Sequence, residues 1–178
     1  SDTTANFHQR GWFLALNEQA TFDSGALLQS SFSVKQFDGD IFGNSGAPYE
    51  IAPDRNFGGW FNRQHRESRR YELLEIFNFA PWQTARGSHA FKAGVNISRT
   101  SFDGSDRSTP VTIVRADGTR QQLIEFVAGG DLGLAQNEYS AFVQDKWIVN
   151  SCVVFDLGLR YDRDGIGRHN NVAPRLCF

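Results

Sequence analysis

Residues 137–178 read NEYSAFVQDKWIVNSCVVFDLGLRYDRDGIGRHNNVAPRLCF. An aromatic-rich run, 138–149, ends in a very short turn at Asn150-Ser151. A second run, 152–161, alternates strictly: Phe155, Leu157, Leu159 and Tyr161 point one way, and Asp156, Gly158 and Arg160 point the other. A period of two fits a β-strand and no helix. The apolar set holds no charge, and the opposite set holds most of it. A strand with one face in lipid and the other lining a polar lumen needs that division. A third run, 172–178, follows a polar loop, 162–171.

Working back from this stretch, the same alternation predicts four more spanning strands, at about 10–19, 26–36, 70–80 and 89–100. The 89–100 run is the cleanest, with Phe91, Ala93, Val95 and Ile97 against Lys92, Gly94, Asn96, Ser98 and Thr100. In 70–80, Tyr71, Leu73, Phe77 and Phe79 are in phase and Glu75 breaks it. Connections near 20–25, 81–88 and 150–151 are short. The segments 37–69 and 101–137 are long, and 162–171 is intermediate. Bacterial outer-membrane barrels show that asymmetry, with short periplasmic turns and long extracellular loops, so 37–69 and 101–137 are expected to be extracellular. Within the second loop, Val111–Val114 and Gln122–Phe126 flank Asp117-Gly118, a hairpin signal. The expected fold is all-β: an antiparallel meander over 1–178, part of a transmembrane outer-membrane barrel, open or incomplete in this chain, with no plug domain.

Three ordered pieces carry a family resemblance: Phe142-Val143-Gln144-Asp145-Lys146-Trp147, Leu157-Gly158-Leu159-Arg160-Tyr161-Asp162, and Asn171-Val172-Ala173-Pro174-Arg175-Leu176. Together they resemble the barrel of TonB-dependent outer-membrane receptors, most of all the group with an N-terminal carboxypeptidase-regulatory-like domain. Fainter likeness extends through Phe61-Asn62-Arg63-Gln64 and Ser88–Gly94. The resemblance implies an outer-membrane location in a Gram-negative bacterium and active uptake of a scarce solute, with iron chelates, cobalamin-like cofactors and oligosaccharides all open. It implies as partners the membrane lipid, a plug domain and further strands of a parent chain, and the TonB complex acting through an N-terminal part. The family's barrels have more strands than the seven read here, so the chain is expected to be a slice of a larger barrel. Phe178 would also suit the terminal aromatic of an outer-membrane protein, although the family pattern runs on past this point.

Composition agrees with a barrel strand set. Sixteen Phe and seventeen Gly occur in 178 residues, with no Met and no leader-like segment, as expected of a mature or internal piece. The longest apolar run, Trp12–Leu16, is far below the ~18–20 residues of a membrane helix. A net charge of −2 gives no field to attract nucleic acid. Folding the last two strands about their loop puts Cys177 beside Asp156, four residues (about 13 Å) from Cys152. Disulfide geometry allows roughly 7 Å, so no bridge is expected.

The remaining motifs point to no chemistry. Arg63, His65, Arg66, Arg69 and Arg70 read as a solvated strand extension or a lipopolysaccharide-facing rim, with phosphate binding as the sharper alternative. The four His are scattered, the acidic loops lack a calcium pattern, and no catalytic constellation or cofactor motif stands out. No metal, cofactor or enzymatic activity is therefore expected. The candidate functional residues are the inward polar set Lys92, Asn96, Asp156, Arg160 and Arg175; the alternative role for each is to bond across the wall. Tyr139, Trp147 and Tyr161 are expected as membrane-interface aromatics, and Phe142 is expected on the outer face with Phe155 and Tyr161. Two other readings remain: a small self-contained outer-membrane barrel with an adhesin or structural role, and a soluble β-sandwich binding module with its apolar face packed inward.

Overall fold

The computed structural model describes residues 3–127, 129–167 and 169–178. Ala128 and Arg168, inside the predicted loops 101–137 and 162–171, lie outside the described residues, as do Ser1 and Asp2. The protein is all-β, as the alternation predicts. Its strands are β1 (Ala5–Thr21), β2 (Leu27–Gly43), β3 (Tyr49–Ile51), β4 (Asn56–Phe57), β5 (Asn62–Asn78) and β6 (Trp82–Thr84), then β7 (Gly87–Ser108), β8 (Val111–Val114), β9 (Arg120–Ile124), β10 (Gly130–Ile148), β11 (Val154–Arg163) and β12 (Asn170–Cys177).

Two sheets form. The larger follows the order β1-β2-β5-β7-β10-β11-β12, with the short β6 paired to β7. Apart from β6, its neighbours follow chain order with the excursions β3–β4 and β8–β9 left out. The path ends at β1 and β12. The β10–β11 ladder is antiparallel and matches Trp147 with Phe155, Val143 with Leu159 and Tyr139 with Arg163. The β11–β12 ladder matches Asp156 with Cys177, the neighbour expected from the loop, and Gly158 with Arg175. Both cysteines are free thiols.

The chain divides into two compact units. Unit 1 comprises 1–12, 36–69 and 101–134; unit 2 comprises 13–35, 70–100 and 135–178. Unit 2 holds only segments of the larger sheet and its short turns, so it is a single layer. Its turns are tightly bonded: the Gly25 amide donates to Phe22 O at 2.8 Å, and the Asn150 carboxamide accepts the Cys152 and Val153 amides at 2.9 and 3.0 Å.

Unit 1 departs most from the sequence reading. The predicted loop 37–69 narrows to 44–61, because β2 runs on to Gly43 and β5 begins at Asn62. The loop 101–137 narrows to 109–129 in the same way. The arginine-dense stretch from Asn62 is thus strand. Its polar side chains bond neighbouring strands: Asn62 donates to Asp106 and Ser108 at 2.7 and 2.9 Å, His65 meets Asp40 at 2.7 Å, and Glu67 accepts from Gln36. An alternation of polar with polar carries no hydropathy signal, so a strand outside an apolar environment escapes a search for period two.

Both shortened connections fold into the second sheet, β4-β3-β8-β9. The β8–β9 hairpin closes at Asp117-Gly118 as read, with Gly118 at φ 80°, where a side chain would be strained. The sequence reading assigns neither β4 nor β3, and β3 pairs in parallel with β8 (Tyr49 with Val111, Ile51 with Ile113). A parallel ladder between segments some sixty residues apart leaves no local trace in sequence. It is held by the main apolar burial of unit 1. Val111 and Tyr49 are buried, and Tyr49 contacts the Trp60 and Phe61 rings at 6.2 and 5.6 Å. Phe61 stacks on Phe126 at 5.3 Å.

Val111→Ala is expected to destabilise this small sheet by about 2 kcal/mol. Faster amide exchange across β3 and β8, with the β11–β12 ladder unchanged, is the expected readout. Unchanged exchange in β3 would show that Val111 does not anchor the loops.

Candidate functional site: the two faces of the larger sheet

The registers of β10, β11 and β12 sort the side chains of unit 2 onto two faces. On one stand Tyr139, Val143, Asp145 and Trp147 of β10, Phe155, Leu157, Leu159 and Tyr161 of β11, and Val172 and Leu176 of β12. The apolar members are open to the surroundings: Val143 is 48% exposed, Leu159 49% and, on β7, Ile97 44%. No second layer covers them within unit 2.

Polar residues that break this face pair with one another across strands. Glu75, the phase-breaker in β5, accepts a hydrogen bond from Ser30 of β2 at 2.5 Å. Asp145 of β10 meets His89 Nδ1 of β7 at 2.7 Å. The His89 ring is stacked on Phe91 at 5.8 Å and on Trp147 at 5.4 Å, and Trp147 contacts Phe155 at 5.7 Å. Trp147 Nε1 donates to Arg86 O, and Tyr161 Oη donates to Asn170 Oδ1 at 2.8 Å. A polar group away from water is tolerated when its bond is made and costly when it is not.

The opposite face is a polar network. Asn96 donates to Glu72 at 2.8 Å, Ser98, almost fully buried, donates to Glu138 at 2.9 Å, and Arg70 bridges Glu72 and Glu138 at 3.4 and 3.3 Å. Arg160 clasps Asp162 through Nε and Nη2 at 2.8–3.0 Å. Gln144 donates to Asp156 at 3.4 Å. All five polar residues singled out from sequence share this face. Asn96 and Arg160 border one depression of about 300 Å³, and Lys92, Arg160 and Arg175 border a second of about 260 Å³. Asp156 stands beside Gly158 on the same side of β11.

One placement is corrected. Phe142 is matched with Arg160 across the β10–β11 ladder and therefore lies on the polar face, opposite to Phe155 and Tyr161. Its ring covers Gly94 of β7: a Cβ there would come within 2.5 Å of the ring. The aromatic ring fills the gap left by a glycine, so its register rather than its hydropathy decides its side. Of the network members, Glu72, Ser98 and Glu138 are not among the sequence-derived candidates, and Arg70 appears there only within the basic cluster of 63–70. Even spacing links Ser98 to Lys92 and Asn96 along β7, and Arg70 to Glu72 along β5, which is the signal the sequence carries.

Beyond β11, Asp164 accepts the Ile166 and Gly167 amides at 2.9 and 3.2 Å, an Asx-type turn. These bonds, that from Ile166 first, hold its carboxyl below the ordinary 3.8. Among the described residues, no group of three or more His, Cys, Asp or Glu is placed to hold a metal ion.

No protein-family model matches the sequence, and no curated protein matches it. Among solved structures, the chain is similar to the crystal structure of the outer membrane transporter YddB from Escherichia coli. The TM-score is 0.75 at 15% identity, over 97% of this chain and 23% of that one. The chain thus spans about a quarter of that transporter's length and shares the fold of that part.

Two outcomes are expected. His89→Leu or Asp145→Leu alone leaves a polar group unpaired and destabilises by about 1–3 kcal/mol, while the double substitution costs less than the sum; a double-mutant cycle in a folded, detergent-solubilised sample reads this, and strict additivity would mean the pair contributes nothing. In the Asp164 turn, the lowered acid stabilises when charged. Its contribution is complete above the ordinary carboxylate range and fades as pH falls through the lowered value. Protection of the Ile166 and Gly167 amides should be lost there, and Asp164→Asn should abolish that pH dependence.

Proposed function

We propose that this chain is part of the barrel wall of a TonB-dependent outer-membrane receptor that takes up a scarce solute. The observation that carries the reading is the two-faced single layer of unit 2, apolar and open on one side, charged and internally bonded on the other. In water such a layer leaves apolar area exposed and invites association. In a barrel wall both faces are in their preferred medium. Apart from the three-residue β6, the strand segments within unit 2 run from 8 residues (Asn170–Cys177) to 14 (Gly87–Thr100), which brackets the ~9–11 of a transmembrane β-strand. The shared fold with an outer-membrane transporter supports the same reading.

In this proposal the apolar face meets lipid, and Tyr139, Trp147 and Tyr161 lie near the membrane boundaries. The face bearing Lys92, Asn96, Asp156, Arg160 and Arg175 lines the lumen. The open edges of β1 and β12 take further strands, since an unpaired edge in lipid would strand its backbone groups. A plug segment fills the lumen, and energy arrives through TonB. The solute is an iron chelate, a cobalamin-like cofactor or an oligosaccharide. The small sheet of unit 1, built from the two longest connections, lies on the extracellular side.

Cysteine scanning tests the proposal in a Cys152→Ser, Cys177→Ser background of the full-length protein in native outer membranes. Val143→Cys and Leu159→Cys should resist a membrane-impermeant maleimide and react with a lipid-soluble one. Asn96→Cys should show the reverse. Water access to Val143 and Leu159, in a chain that is monomeric without detergent, would overturn the barrel and favour a soluble module. Uptake that persists in cells lacking TonB would overturn the energised part alone.

A further inference from the structure

The polar face carries two adjoining depressions with different charge balance. In the first, Arg70 bonds Glu72 and Glu138, and Arg160 bonds Asp162, so these cations and acids already satisfy one another. In the second, the charged lining is Lys92, Arg160 and Arg175, with no carboxylate. Arg160 is occupied by Asp162. Lys92 and Arg175 form no ion pair among the described residues. The nearest acid on the same side of β11, Asp156, is engaged by Gln144.

Backbone geometry keeps this second depression open. Gln144, Gly158 and Arg175 form one cross-strand row. The glycine contributes no side chain, so Arg175 and Gln144 flank a gap instead of a filled position. Phe142, seated over Gly94, supplies an apolar wall. Two unmatched cations and one further guanidinium around one hollow favour a compact anion, since each can add a charge-assisted bond to it.

We propose that the hollow between β7, β10, β11 and β12 is a binding site for one anionic oxygen group, a carboxylate or phosphate, held by Lys92 and Arg175. The proposal rests on the barrel reading, in which this face lines the lumen. The group has two possible sources: an Asp or Glu side chain from another part of the full-length protein, or a free anionic solute.

The test uses full-length protein in detergent micelles, with inorganic phosphate as the free-anion probe. Carbodiimide coupling followed by peptide mass mapping reports an isopeptide between Lys92 and any carboxylate seated against it. In parallel, the acylation rate of Lys92 by a water-soluble ester is measured with and without phosphate. A Lys92 isopeptide to a distant Asp or Glu supports the site and identifies the protein as the source. Phosphate protection of Lys92 without an isopeptide supports a free solute, and Arg175→Gln should then raise the half-protecting concentration about tenfold, the loss of one charge-assisted bond. Acylation insensitive to phosphate, with no isopeptide, overturns the proposal. Maleimide labelling of Leu159→Cys in the same micelles separates the two failures: labelling by the lipid-soluble reagent alone with an inert Lys92 sinks only the anion site, and free aqueous labelling sinks the barrel reading beneath it.

Discussion

Cross-strand register governs everything else in the larger sheet. Side chains alternate with a period of two, so one matched pair assigns a face to every residue along a strand. The match of Val143 with Leu159 sets Phe142 opposite Arg160 and Gln144 opposite Gly158. The next ladder carries the assignment to Arg175 and Cys177. A slip of one residue at either ladder would send the β11 carboxylates to the apolar side and the leucines to the polar side. The result would break the division into one apolar and one polar face. The apolar face therefore holds the register as firmly as the hydrogen bonds do.

The polar residues on the apolar face follow from the same constraint. Glu75, Ser30, Asp145 and His89 each look like an error in the pattern when their strands are read singly. The folded sheet resolves them into two bonded pairs, Ser30 with Glu75 and His89 with Asp145. The second pair is enclosed by Phe91 and Trp147, which restrict water and so strengthen the bond. Across the sheet the polar side shows complementary behaviour. Its carboxylates and guanidinium groups bond each other around Glu72, Arg70 and Glu138, while the hollow beside Gly158 keeps an excess of positive charge.

Unit 1 obeys different chemistry. Its strand extensions carry many polar side chains, and neighbouring ones such as Asn62 with Asp106 and His65 with Asp40 join them. Its stability gathers in a small aromatic cluster around Tyr49, Phe61 and Val111. That cluster turns two connections that are unremarkable in sequence into one four-stranded sheet. Elements with so small a core open readily.

Sequence alone determined the all-β class, the main strands of unit 2, the Asp117-Gly118 hairpin, the pairing of Cys177 with Asp156 and the placing of Lys92, Asn96, Asp156, Arg160 and Arg175 on one face. Each is written in local alternation or turn chemistry, and a two-faced environment enforces that alternation at every second residue. Tertiary structure decided the rest: the length of the polar strand extensions, the parallel ladder between β3 and β8, the side on which Phe142 lies, and the partners of Glu75 and Asp145. These depend on contacts between residues far apart in the chain. Hydropathy is a property of single residues, whereas a register match, a ring over a glycine or a bonded polar pair exists only between two.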